Sequence, residues 1–202
     1  MGIAERKERE KLEMREKILL AATELFVEKG YDETSIRTIA ERIEYSPATI
    51  YLYFKDKPEL FHAIMDQAFQ TLLERFRKNC TLENPLDRLR QLGQEYLRFA
   101  AEHPALYDLM FIMRKPMDHI HEPKDWDCGF QTFYVLQGIM QQCIEEKLVR
   151  FTNAEVASLT VWSHLHGLIA LHVRGRMLMM PENLQPYLIQ QSIEDILRII
   201  RV

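Results

Sequence analysis

"TSIRTIAERIEYSPATIYLYF", residues 34–54, decides how the rest of the chain is read. Ile36, Ile39, Ala40 and Ile43 recur at i, i+3, i+4 and i+7, the stripe of a short amphipathic helix over about 35–43. After a tight turn at Glu44–Tyr45, Ser46 has the hydroxyl of an N-cap. Pro47 then stands at the first helical position, where its missing N–H costs nothing. The second helix covers about 47–53, and Ile50 and Phe54, four apart, face inward toward Ile39, Ala40 and Phe26. Ala48, Thr49, Leu52 and Tyr53 are left on or near the outer surface. Two short helices so spaced form a helix-turn-helix, whose second helix lies in the DNA major groove while the first crosses the backbone. The tyrosines Tyr51 and Tyr53 then have a use: a phenol can donate to a phosphate oxygen while its ring stays anchored on the protein. Thr34, at a helix start, and Lys57, in the first turn of the following helix, are also placed for phosphate.

Outward from this stretch the chain reads as helical throughout. Ile18, Leu19, Ala22, Leu25 and Phe26 repeat at helical spacing before a stop at Gly30. Asp56 with Glu59 makes a box-like cap for a fourth helix that runs to about Asn79, carrying Leu60, Ile64, Ala68, Leu72 and Phe76. The chain restarts at Asn84–Pro85 and breaks near His103–Pro104. A loop from about Met113 to Asp127 holds Pro116 and Pro123. Three helices follow near 127–149, 153–178 and 184–201, the second capped by Thr152 with Glu155. No strand alternation occurs, so the fold class is all-α with about nine helices. The expected domains are a helix-turn-helix domain over 1–60, a linking helix to about 79, and a larger helical domain over 61–202.

With 47% hydrophobic and 28% charged residues, the 202-residue chain can bury a core and stay soluble. No apolar run approaches the roughly 18 residues of a membrane span, and the charged N-terminus has no signal-peptide core. Three scattered cysteines, Cys80, Cys128 and Cys143, read as reduced thiols in a cytoplasmic protein. The net charge is −4, and residues 1–60 hold 11 Lys+Arg against 13 Asp+Glu. Any DNA-binding assignment therefore rests on local arrangement.

Residues 18–61 supply that arrangement. Phe26, Gly30, Thr34, Ile39–Ala40, Ser46, Thr49–Ile50–Tyr51, Phe54, Lys57 and Leu60 together resemble the N-terminal DNA-binding domain of the TetR family of transcriptional repressors. The resemblance implies that Arg37 reaches a base edge, that Pro47, Ala48 and Thr49 form the base-facing start of the recognition helix, and that Tyr51, Tyr53 and Lys57 contact phosphates. The turn position usually held by glycine in that family is Glu44, and a positive φ there would strain a glutamate by about 1 kcal/mol.

Residues 80–202 resemble the ligand and dimerisation domains of the same family more loosely. "VWSHLHGLIALHV" (161–173), with Trp162, His166 and Gly167, is similar to the W…HG pattern of one subgroup. The resemblance implies a small-molecule cavity, with Tyr107, Met110, Phe111, Phe130, Tyr134, Trp162 and His166 as candidates, although such stripes are more often core. An apolar band on the last two helices points to a homodimer through Leu165, Leu168, Ile169, His172, Ile193, Ile196, Leu197 and Ile200. The expected partners are operator DNA, a second copy and an unidentified small-molecule effector, with no membrane, cofactor or metal. His119, His121 and Cys128 lack a recognised metal-site spacing, and His164 and His166 point to different sides of their helix. No catalytic motif is present. The rival reading is a helical enzyme or metal-binding protein using the His-rich C-terminal half.

Overall fold

Nine α-helices and no β-strand make up residues 2–113 and 127–202, which the computed structural model describes. The loop residues Pro116, His119, His121 and Pro123 lie outside the described residues. α1 (Ile3–Lys29) starts well before its apolar stripe; its exposed first half carries the i,i+4 ion pairs Arg6–Glu10 at 2.8 Å and Arg9–Glu13 at 3.5 Å. Its second half buries Ile18, Leu19, Ala22, Leu25 and Phe26. Gly30 ends it at φ 84, a conformation that glycine adopts without the Cβ penalty.

α2 (Ile36–Arg42) and α3 (Pro47–Tyr51) are the two short helices read from the sequence. At the start of α4 (Lys57–Asn79), Asp56 accepts from the Glu59 N–H at 2.9 Å. The Glu59 carboxylate reaches the N–H of Lys55 rather than that of Asp56, one residue further back than in the usual box. Asn84 caps α5 (Pro85–Glu102), accepting from the N–H groups of Leu86 and Asp87. α6 (Pro104–Phe111) and α7 (Asp127–Glu145) follow. α7 ends four residues short of its expected limit because Lys147, at φ 58, turns the chain; the N–H of Leu148 bonds Cys143 O and that of Lys147 bonds Ile144 O. Asn153 caps α8 (Ala154–Val173), accepting from the Val156 N–H at 2.7 Å. Thr152 is therefore displaced from that role, and the Glu155 carboxylate accepts from Gln137. α9 (Gln185–Ile200) closes the chain.

The chain divides into two compact units, and the division falls inside α4 between Ala68 and Phe69. In the N-terminal unit Phe26, Tyr31 and Phe61 form a ring cluster with centroids 5.2–5.4 Å apart. In the C-terminal unit α5, α7, α8 and α9 pack on one another. Gly93 lets them approach: a Cβ there would sit 3.5 Å from both Leu165 and Ile193.

This packing corrects the expected dimer surface. Leu165, Ile169, Ile193, Ile196, Leu197 and Ile200 are buried within the single chain, and only Leu168 and His172 of that set keep partial exposure. The exposed apolar residues of α8 are instead Val156, Leu159 and Leu171, each at least half exposed. Against the expectation from sequence, α8 is long and apolar enough, by length and composition alone, to cross a membrane. One side of it is packed against its neighbours and the other is open.

Candidate nucleic-acid interface

The α2–α3 unit is built on capped ends and one shared core. Ser35 caps α2: its hydroxyl accepts from the Thr38 N–H at 3.1 Å, and Thr38 Oγ1 accepts from the Ser35 N–H at 2.9 Å. Ser46 caps α3, its hydroxyl accepting from the Thr49 N–H at 3.3 Å and lying 3.1 Å from Thr49 Oγ1. Ile36, Ile39 and Ala40 from α2 and Ile50 from α3 are buried. Between the helices Glu44 sits at φ 63, with the Tyr45 N–H on Ala40 O at 2.9 Å and the Glu44 N–H on Glu41 O at 3.2 Å. That bond pair is a Schellman cap, which normally places glycine where Glu44 stands. The turn thus keeps its left-handed residue despite the side chain.

With Ile50 and Phe54 fixed inward, α3 presents Pro47, Ala48, Tyr51 and Leu52 outward, with Thr49 and Tyr53 half-exposed at its sides. Among the described residues neither the Tyr51 nor the Tyr53 hydroxyl is engaged. Arg37 projects from α2 with 81% of its side chain exposed and a 2.9 Å pair to Glu41 one turn on. An exposed i,i+4 pair of this kind contributes only about 0.3–0.5 kcal/mol, so the guanidinium is readily redirected.

Two expected phosphate contacts are placed otherwise. Thr34 is buried, and its hydroxyl donates to Gly30 O at 2.8 Å and Leu25 O at 3.1 Å, so it ties the α1–α2 turn together. The cap position at the helix start belongs to Ser35, which the S-x-x-T spacing of Ser35 and Thr38 could have indicated. Lys57 is drawn inward as well: its ammonium donates to Tyr31 O at 2.8 Å and Thr34 O at 2.9 Å, and stands 4.2 Å from the Tyr31 ring centre. It clamps the start of α4 to the α1–α2 turn. Sequence reasoning also passed over two cations of α1: Lys17 lies 4.9 Å from the Tyr45 ring, on the helix-turn-helix turn, and Arg15 lies 5.2 Å from the Phe54 ring. They bring positive charge to a unit that is acidic in total.

The second candidate region is inside the C-terminal unit. The Tyr107 hydroxyl and His166 Nδ1 are 2.7 Å apart. Tyr96 OH lies 3.4 Å from each of Tyr107 OH, His166 Nδ1 and Trp162 Nε1. Burial lowers the proton affinity of His166 and pushes Tyr96 up to about 12, so the cluster is neutral near pH 7. The α7 ring turned to Trp162 is Phe133, edge-on at 5.9 Å. Phe130 and Tyr134 stack on each other at 6.2 Å, and Tyr134 is exposed. Thus Tyr107, Trp162 and His166 come together with Tyr96 and Phe133, whereas Phe130 and Tyr134 form a separate pair. Met110 is buried and Phe111 half-exposed; both lie on the last turn of α6, which groups with the N-terminal unit. Among the described residues no three His, Cys, Asp or Glu side chains converge as metal ligands.

Comparison with known proteins adds the following. A family profile described as "Bacterial regulatory proteins, tetR family" matches residues 18–64, and one described as "Tetracyclin repressor-like, C-terminal domain" matches residues 89–195. The HTH-type transcriptional activator FasR of Mycolicibacterium smegmatis is 29% identical over 113 residues, 55% of this chain and 50% of that protein. The HTH-type transcriptional repressor KstR of Rhodococcus jostii is 31% identical over 98 residues, 48% of this chain and 46% of that one. The chain thus spans about half the length of the curated relatives it matches. Among solved structures, the TetR family regulator PfmR of Thermus thermophilus superposes with a TM-score of 0.69 at 22% identity, covering 90% of this chain and 97% of that one, which is a likeness of fold.

Proposed function

The chain belongs to the TetR family of bacterial regulatory proteins, and on that premise we propose that it is a transcriptional repressor that grips a palindromic operator as a homodimer and is released by a small molecule. The family's members are transcription regulators rather than enzymes. One observation carries the DNA reading: α3 is locked by Ile50 and Phe54 and turns Pro47, Ala48, Tyr51 and Leu52 away from the core. Pro47, Ala48 and Thr49 then face base edges in the major groove, where a small apolar side chain suits a thymine methyl. Tyr51 and Tyr53 reach phosphates on either side. Arg37 leaves Glu41 for a base edge or a phosphate, and Arg15 and Lys17 add charge along the approach. Thr34 and Lys57 serve by holding the α1–α2 turn against α4.

The effector reading rests on the Tyr96–Tyr107–Trp162–His166 cluster, neutral hydrogen-bonding groups among apolar helices, as small-molecule sites commonly are. An effector that favours the DNA-incompetent state would act through α4, the helix common to both units. The relatives named above include an activator and a repressor, so the sign of regulation in this chain is read from the reporter. Selection of duplexes from a random pool by the purified protein tests the proposal, together with a reporter gene carrying the selected site. A two-fold symmetric site whose reporter is silenced is the expected result. Failure to enrich any sequence, with stoichiometric metal bound to the protein, would favour the rival metal-binding reading instead.

A further inference from the structure

Where the end of α4 meets the first turn of α5 and the middle of α7, the C-terminal unit carries a groove of about 260 Å³ that the cluster around His166 does not line. Its walls are Phe76, Ile139 and the exposed ring of Tyr134, and its polar groups are the guanidinium groups of Arg77 and Arg88, the Gln142 amide and the Cys80 thiol. Among the described residues no carboxylate lines it. Elsewhere in the described residues Arg42, Arg75, Arg90 and Arg98 each pair with an acidic side chain. Arg88 instead gives one terminal N–H to Gln142, and its Nε–H is buried without an acceptor. A buried guanidinium N–H left unpaired is costly and uncommon, so the position is held for something other than stability.

Gly138 gives a second, independent sign. It lies in the interior of α7, where glycine is disfavoured relative to alanine, and a Cβ built on it would meet nothing within 4 Å. No close packing calls for the missing side chain. What its absence preserves is open space along the groove, beside a wall of rings and aliphatic side chains.

We propose that this groove binds a small organic carboxylate with a compact apolar or aromatic body. The carboxylate pairs with the guanidinium of Arg88, a planar donor whose fork matches a planar two-oxygen acceptor. Arg77, at the exposed rim, supplies a second positive charge. The body lies over Gly138, against Phe76 and Ile139 and beneath Tyr134. The volume is near the lower end of small-molecule pockets, which favours a one-ring acid over a long-chain one.

Calorimetric titration of the whole protein with benzoate, phenyl phosphate and neutral benzamide tests this directly, without DNA, so that failure here leaves the repressor proposal standing. Benzoate should bind at least about tenfold more tightly than benzamide, or 1.4 kcal/mol. Arg88→Gln should lose that preference while unfolding at the same temperature as the parent or higher, because it removes a buried N–H that has no acceptor. Gly138→Leu, which fills the groove from α7, should stay folded and stop binding benzoate. Benzoate no tighter than benzamide, or unchanged in both variants, would overturn the site. A sharp fall in the melting temperature of Arg88→Gln would make Arg88 a structural residue and overturn it too. Tighter binding of phenyl phosphate than of benzoate would overturn the carboxylate assignment.

Discussion

Glu44 carries a conformational cost at a position where the helix-turn-helix needs a left-handed residue, and at φ 63 its Cβ crowds the following carbonyl. Glu44→Gly should therefore raise the unfolding free energy by about 1 kcal/mol in a urea titration. Lys147→Gly, at φ 58 in the equivalent bond pattern after α7, should do the same; no gain at either site would mean that the side chains make compensating contacts. Tyr51 and Arg37 separate the two jobs of a DNA-reading surface. Tyr51→Phe, which removes one unengaged hydroxyl, should weaken binding to operator and random duplex by similar factors. Arg37→Ala or Thr49→Ala should relax preference at particular base pairs, by about 1–3 kcal/mol where a good base contact is lost. Fluorescence anisotropy on a panel of single-base operator variants distinguishes these patterns. His166 adds a pH dependence whose sign is fixed by burial. Its folded pKa lies below the ordinary 6.5, so between the two values the unfolded chain binds more protons, and stability falls as pH drops below about 6.5. Melting curves from pH 7.5 to 5 should show a smaller decline in His166→Asn than in the parent; equal declines would assign the effect to other groups.

Helix ends show which local signals can be read without a structure. Ser46 before Pro47 and Asn84 before Pro85 were legible because a cap side chain and a first-turn proline agree on one start. At α8 two adjacent residues could cap, and Asn153 displaces Thr152, since its amide oxygen reaches the Val156 N–H. Thr34 and Lys57 were misplaced for a different reason. Their types suit phosphate, but the folded turn brings the carbonyls of Leu25, Gly30 and Tyr31 within reach, and long-range proximity has no periodicity to reveal it. Helix interiors offer a matched test in Gly138 and Gly167. Both lie inside long helices, and a Cβ at either meets nothing within 4 Å of this chain. Gly138→Ala should stabilise the protein by about 0.8–1 kcal/mol. Gly167 shares a face of α8 with Val156, Thr160, Ser163 and Leu171, so a second helix would approach closely there. Gly167→Ala should accordingly weaken self-association in sedimentation even as it improves the helix; a gain without weaker association would move the contact off this face.

At the scale of the whole molecule, the all-α class and the helix-turn-helix were legible because the first short helix carries an apolar stripe and Ser46–Pro47 marks the start of the second. The dimer surface was not. Periodicity marks the most apolar side of α8 and α9, and that side is used inside the chain by Leu165, Ile169, Ile193 and Ile196, packed on α5 beside Gly93. The surface left for a partner is the less apolar one: Val156, Leu159 and Leu171 on α8, and Leu188 and Ile199, eleven residues apart on one face of α9. A stripe of exposed aliphatic side chains with small residues between them is a face that water covers poorly. A second copy related by a two-fold axis would cover it with the same helices. A homodimer bound to a palindromic operator, as proposed above, would read two half-sites about 34–36 Å apart. Leu159→Glu with Ile199→Glu should give a folded monomer by sedimentation at micromolar concentration, with helical content retained, and operator affinity should collapse toward that for random DNA. Leu165→Glu or Ile193→Glu, by contrast, buries a charge in the core and should unfold the C-terminal unit outright. A dimer that survives the outer pair of charges and still binds its operator would place the interface on another face of the protein.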